Sequence, residues 1–234
     1  MLGLALLDPE VADTSTVIRI QNFLSREEID AVRVVAEKLR PKDAKLEEVP
    51  SMEYRDPIFL QKDGVFSQEL PSIHKKICAL AAEVDRDNWS MISACGKEVG
   101  IGINARCVEF HEYGQMAPRR SCGDHYDSGS LITVDIMLSS TDEFEGGRFE
   151  TSAMAGEGAA RERRTSHHEF EQGDALVFPS HKHHSVAAVT SGTRSVLIIE
   201  FWEGSECASF HRCMSTSCGG EYVHECDHDP GCWL

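Results

Sequence analysis

The chain has 234 residues, 41% of them hydrophobic, which suffices for one sizeable core and suits a single all-β sandwich or barrel with helices attached. Its 39 acidic against 23 basic side chains give a formal charge of −16, which repels phosphate backbones and anionic lipid and argues against nucleic-acid and membrane partners. A neutral or basic substrate is easier to attract. No run approaches the roughly 18 apolar residues of a membrane span. Met1 to Leu7 are apolar but lack a basic start, and Asp8-Pro9-Glu10 follow at once, so no secretory signal is expected. The nine cysteines are an odd number, which argues against complete pairing and for a reducing compartment, with the cytoplasm as the expected location. Nothing in the sequence sets an oligomeric state.

In chain order, Thr14 to Ile20 alternates and carries β-branched residues, predicting a strand. Ser25 with Glu28 is a capping box, and Ile29, Val32, Ala36 and Leu39 recur at helical spacing until Pro41. Residues 40 to 68 are charged and mixed and predict loop with short extended pieces. Pro71 suits a first helical turn, after which Ile73, Ile77, Leu80 and Val84 fall on one face of a helix ending near Asp85 to Asn88. From residue 102 the period becomes two. Arg106 to Tyr113, Leu131 to Leu138, Arg148 to Thr151, Glu169 to Glu171, Ala175 to Pro179, His184 to Val189 and Arg194 to Trp202 read as strands, and residues 152 to 167 as an exposed loop. Helices followed by many short strands predict an α+β fold: a double-stranded β-helix, or jelly roll, with the N-terminal helices packed on one sheet. There is no internal repeat and no glycine-rich phosphate loop.

The chemistry concentrates in Gly123-Asp124-His125-Tyr126-Asp127. Side chains two apart in an extended segment project the same way, so His125 and Asp127 can share a metal ion while Tyr126 faces away. Downstream, His181, His183 and His184 each offer a third ligand, and Arg194 follows. Two histidines and a carboxylate on one side of an octahedral ion leave positions open, as in non-haem Fe(II) oxygenases.

His125-x-Asp127, His184-x-Val186 and Gly192-x-Arg194 together resemble the signature of the 2-oxoglutarate and Fe(II)-dependent dioxygenases, in particular the prolyl 4-hydroxylase-like branch. The opening Val17-Ile-Arg-Ile-Gln-Asn-Phe-Leu-Ser25 is similar to the strand, turn and helix that begin that branch. The resemblance covers roughly residues 15 to 203, and it selects His184 as the third ligand. It implies Fe(II) held by His125, Asp127 and His184, 2-oxoglutarate as cosubstrate with its distal carboxylate forked by Arg194 and hydrogen-bonded by Tyr113, and O2; it admits ascorbate. It further implies hydroxylation of a C–H bond in a peptide or small-molecule substrate, peptidyl proline among them, with release of succinate and CO2. Asp127 favours hydroxylation over halogenation, because halogenases of the superfamily leave that position to halide. Arg194 departs from collagen-type members, which usually carry lysine there, and this argues against collagen-like substrates. For Arg194 to look back toward the metal, its strand and that of His184 must lie in facing sheets. Gly146 and Gly147 look like the family's tight strand entry, with a conformational role.

The resemblance makes residues 1–206 the dioxygenase domain and 207–234 a cysteine-rich tail. That tail holds Cys207, Cys213, Cys218, Cys226 and Cys232 with His211, His224 and His228. It has no Cys-x-x-Cys pair, so free thiols or disulfides are expected ahead of a zinc site. The alternative to an enzyme is a non-catalytic metal-binding jelly roll that interacts or senses through this tail.

Overall fold

Strand alternation sorts the side chains of the longest strands into two sets, and two sheets are built around that division. The computed structural model describes residues 14–40, 57–94, 104–115, 117, 119–155, 162–204, 206–208 and 212. Strand β3 (Asn104–Gly114) pairs antiparallel with β11 (Val189–Trp202), from Thr193 opposite Gly114 to Trp202 opposite Asn104. The major sheet runs β1 (Ile18–Ile20), β9 (Ala175–Pro179), β5 (Ile132–Met137), β11, β3 and β2 (Ile58–Phe59), with β6 (Phe144–Gly146) paired to the start of β11. The minor sheet runs β4 (Cys122–His125), β10 (His184–Val186), β7 (Phe149–Ala155) and β8 (Glu162–His168).

One face of the major sheet, with Val108, Ile132, Val134, Ile136, Leu197 and Ile199, packs against two helices. These are α1 (Arg26–Leu39), through Ile29, Val32 and Ala36, and α3 (Pro71–Asn88), through Ile73, Ile77 and Val84; the short α2 (Val65–Glu69) lies between them in sequence. Each Val, Leu or Ile among these contributes about 1.5–3 kcal/mol on burial. The opposite face, with Tyr113, Met137, Phe178 and Val196, meets Phe149 and Val186 of the minor sheet in a second core. The arrangement is the expected α+β jelly roll with helices on one sheet.

Local rules account for the helices. Glu28 N donates to Ser25 Oγ at 3.2 Å and Ser25 N to Glu28 Oε2 at 2.8 Å, closing the capping box, and Pro71 occupies the first turn of α3. Among the described residues no helix is long and apolar enough to cross a membrane.

Four expectations need correction. Residues 152 to 155 and 162 to 167 are strand, not loop: β7 and β8 pair from Phe149 opposite His168 to Ala155 opposite Glu162. Strand β8 is a sheet edge with Arg163 to His167 exposed, so no apolar alternation marks it. Glu169 to Glu171 is not strand; Glu171 N donates to Asp174 Oδ2 at 3.1 Å around the turn that leads into β9. The segment His184 to Val189 is not one strand. It leaves the minor sheet after Val186 and enters β11 at Val189, because Ala187 and Ala188 carry the chain from one sheet to the other. Finally, the stretch from 40 to 68, expected to be loop with short extended pieces, does hold the short strand β2, but from Val65 it is helix, because α2 begins there; its residues 41–56 fall outside the described ones. Cys213, Cys218, Cys226 and Cys232 also fall outside them, and the zinc question with them; Cys78, Cys107 and Cys122 are free thiols.

Candidate metal centre

Neighbouring strands β4 and β10 bring the two histidines together. His184 stands directly opposite His125, with ring centroids 4.3 Å apart. Past His125 the chain leaves the sheet, and Asp127 N donates to Ser180 O at 2.8 Å, which turns the carboxylate inward. Asp127 Oδ1 lies 3.8 Å from His125 Nε2, and Asp127 Oδ2 lies 3.8 Å from His184 Nε2. One donor atom from each of the three residues falls within 4.8 Å of the others.

The surroundings suit this set to a cation. His184 Nδ1 donates to Lys182 O at 2.9 Å and His125 Nδ1 to Gly123 O at 2.8 Å, so each ring is oriented by its backbone bond and presents Nε2. Thr133 Oγ1 donates to Asp127 Oδ2 at 2.7 Å. Burial opposes the Asp127 anion, but His184, Arg212 and Thr133 outweigh it and hold its carboxyl below the usual range. Burial also lowers His184, keeping it the neutral imidazole that a metal requires. Burial works against the His125 cation as well, yet Cys122 and Asp127 lift that ring to about 9, so an arriving dication displaces a proton there. The competing histidines stand outside the cluster. His183 Nδ1 is 3.1 Å from Asp124 Oδ2, and the His181 and His183 rings flank Tyr126, which is 46% exposed and faces away from Asp127 as expected.

Arg194 sits on β11 opposite Tyr113, on the inward face of the major sheet, while His184 belongs to the minor one. The facing-sheet condition is therefore met. Its guanidinium lies 5.5 Å from the Tyr113 ring and 5.7 Å from that of Phe170. Although only 1% exposed, Arg194 has no hydrogen-bond partner at Nε or Nη1. A buried guanidinium with two unpaired donors fits the carboxylate of a ligand. Gly147, at φ 61°, passes so close that an added Cβ would lie 2.8 Å from Arg194 Cδ, which supports the conformational role expected of that glycine pair. Tyr113 is 2% exposed, and burial pushes its phenol well above the usual range.

Several charged residues of this interior were missed in the sequence. Glu109, Asp135 and Glu200 project inward from β3, β5 and β11, and Arg106 and Arg212 lie against Glu200. Burial pushes Asp135 up to about 8 and Glu200 to about 7. A charged residue at an inward position of an otherwise apolar strand, as in Val108-Glu109-Phe110 or Ile199-Glu200-Phe201, is the pattern that marks them.

No family model and no curated protein matches the sequence. Solved structures do match. The chain aligns with the non-heme alpha ketoglutarate dependent epimerase SnoN from nogalamycin biosynthesis at a TM-score of 0.56 and 13% identity, covering 83% of this chain and 81% of that one. It aligns with a 2-oxoglutarate complex of the viral collagen prolyl hydroxylase of Paramecium Bursaria Chlorella virus-1 at 0.50 and 16%, covering 82% and 97%. A prolyl hydroxylase from Trichoplax adhaerens, bound to a peptide fragment of the hypoxia inducible factor oxygen degradation domain, aligns at 0.51 and 15%, covering 83% and 87%. The fold is therefore the one shared by 2-oxoglutarate and Fe(II)-dependent oxygenases, prolyl hydroxylases among them.

Proposed function

We propose that the protein is an Fe(II)- and 2-oxoglutarate-dependent dioxygenase that hydroxylates a C–H bond of a peptide or small-molecule substrate. The observation that carries this reading is the convergence of His125, Asp127 and His184, with a buried, unpaired Arg194 on the facing sheet. His125 Nε2, His184 Nε2 and an Asp127 oxygen would hold the ion, leaving positions for 2-oxoglutarate and O2. When bound, iron, cosubstrate and O2 supply the oxidation: one oxygen atom enters the substrate as hydroxyl, the other enters succinate, and CO2 leaves.

The chain's own residues do the positioning. Lys182 O and Gly123 O fix the two rings, and Thr133 keeps Asp127 ionised and aimed. Arg194 forks the distal carboxylate of 2-oxoglutarate, with Tyr113 beside it as a hydrogen-bond partner of the same ligand. Phe149 and Phe178 pack on the His184 ring at 5.8 and 5.1 Å between centroids and exclude water from that side. Asp127 fills the third protein position, which favours hydroxylation over halogenation. Among substrates, peptidyl proline is the class suggested by the prolyl hydroxylases that share the fold.

The test is conversion of 2-oxoglutarate to succinate without added substrate, in the presence of Fe(II), O2 and ascorbate. The native chain should turn over at least tenfold faster than His125→Ala. Equal background in the two proteins would reject the assignment.

A further inference from the structure

The inner wall of the major sheet holds more charge than the metal centre uses. Glu109 and Glu200 are 1% and 0% exposed. Each has one oxygen fixed by the fold. Glu200 Oε2 accepts from Ser130 Oγ at 2.6 Å and from Arg106 Nη1 at 3.2 Å, and Glu109 Oε2 lies 2.8 Å from His111 Nε2.

A second guanidinium bridges the two carboxylates, and it comes from the segment after β11. Arg212 Nη2 is 2.7 Å from Glu200 Oε1 and 3.2 Å from Glu109 Oε2, and its Nε is 3.2 Å from Glu109 Oε1. Its Nη1 reaches to 3.7 Å from Asp127 Oδ1, the oxygen that also faces His125. Arg106 is fully buried, whereas the Arg212 side chain keeps 33% of its surface exposed, so it enters this acidic interior from outside. Glu200 Oε1, though buried, gains no well-aligned hydrogen bond from it. Cys107 completes a second group of potential metal donors with Glu109 and Glu200, but the guanidinium occupies the space between the carboxylates.

Resting on the oxygenase reading, we propose that Glu109 and Glu200 form a subsite for a guanidinium group of the substrate, and that Arg212 is the chain's own occupant of that subsite. The substrate is then an arginine compound in place of peptidyl proline, either the free amino acid or an arginine side chain in a peptide, and it displaces Arg212 on binding. Once Arg212 leaves, Glu109 Oε1 and Glu200 Oε1 are two facing acceptors that suit a planar fork of N–H donors better than the point charge of an ammonium. Arg212 Nη1, 3.7 Å from Asp127 Oδ1, shows that a guanidinium in this subsite reaches the metal ligands. A net charge of −16 attracts such a cation.

The test uses the full chain loaded with Mn(II), which keeps the site from turning over, and with 2-oxoglutarate. Calorimetric titration compares L-arginine, N-acetyl-arginine amide and L-citrulline, whose urea group has the guanidinium shape without its charge. Arg212→Ala should bind an arginine compound at least tenfold more tightly than the native chain does, and citrulline at least tenfold more weakly than arginine. Adding Glu200→Gln should remove that gain. Preference between the two arginine ligands separates a free amino acid from a peptide. Arg212→Gln, which keeps a long polar side chain, serves if Arg212→Ala does not fold.

The proposal is overturned if neither Arg212 variant binds an arginine compound while 2-oxoglutarate still raises its melting temperature, or if citrulline binds as well as arginine. If 2-oxoglutarate does not bind the native chain, the oxygenase reading fails instead. The same titration without it then still decides the guanidinium subsite.

Discussion

Arg194→Met tests the buried guanidinium by removing its charge while keeping much of its aliphatic bulk. Leaving an uncompensated charge buried costs about 3–5 kcal/mol. The Tyr113 and Phe170 faces at 5.5 and 5.7 Å offset part of that, on the order of 2 kcal/mol. The unliganded variant should therefore be more stable than the native chain by about 2 kcal/mol. For a domain of this size that is a rise of about 4–8 °C in Tm. The ligand response reverses the order. At a hundred times its Kd, 2-oxoglutarate should stabilise the native chain by about 2.7 kcal/mol, or about 5–10 °C, and should leave Arg194→Met unmoved. Thermal melts of the Mn(II)-loaded proteins with and without 2-oxoglutarate measure both effects. A variant that melts below the native chain without ligand, and still shifts with 2-oxoglutarate as the native chain does, would show that Arg194 is neither an unpaired buried charge nor a ligand of the cosubstrate.

Other consequences follow from the charges around the site. Burial raises Asp135 to about 8, far above the roughly 3.9 of an unfolded aspartate, so the folded chain keeps a proton there that the unfolded chain releases. The contribution of Asp135 to native stability therefore falls as pH rises from about 4 to 8. The stability difference between Asp135→Asn and the native chain, both unliganded and compared by thermal melting, should widen over that window and level off above it, at up to about 5 kcal/mol. A difference that does not change with pH would contradict this. Thr133→Val removes the hydrogen bond to Asp127 without changing the side-chain shape. Metal affinity, read by competition with a chelator, should fall about 10–100-fold; unchanged affinity would show that Thr133 does not orient the ligand.

Local chemistry makes part of this structure legible in the sequence. Ser25 and Glu28 announce a helix start, Ile73 to Val84 a buried helical face, and His125-x-Asp127 a pair of ligands, because each pattern depends on residues a few positions apart. The third histidine and Arg194 come into view through the spacing His184-x-Val186 and Gly192-x-Arg194, and the sheets place them on facing walls. What stays hidden depends on pairing across long stretches of chain. Strand β8 carries Arg163 to His167 on an exposed edge, where pairing with β7 forms a strand without any apolar period. The break between β10 and β11 depends on which sheet each side chain joins, and alternation alone does not report that. Arg212 meets Glu109 from 103 residues away, and its position in the cysteine-rich tail carries no sign of a partner beside Asp127.

The central claim is that one ion is held by His125, Asp127 and His184 and chelated by 2-oxoglutarate. Its most direct test is an anaerobic titration of the Fe(II)-loaded chain with 2-oxoglutarate, followed by visible absorption. The native chain should show a new metal-to-ligand charge-transfer band that saturates at one equivalent each of iron and 2-oxoglutarate per chain, and His125→Ala/His184→Ala should show none. No band from the native chain at saturating ligand, or an equal band from the double variant, would contradict it.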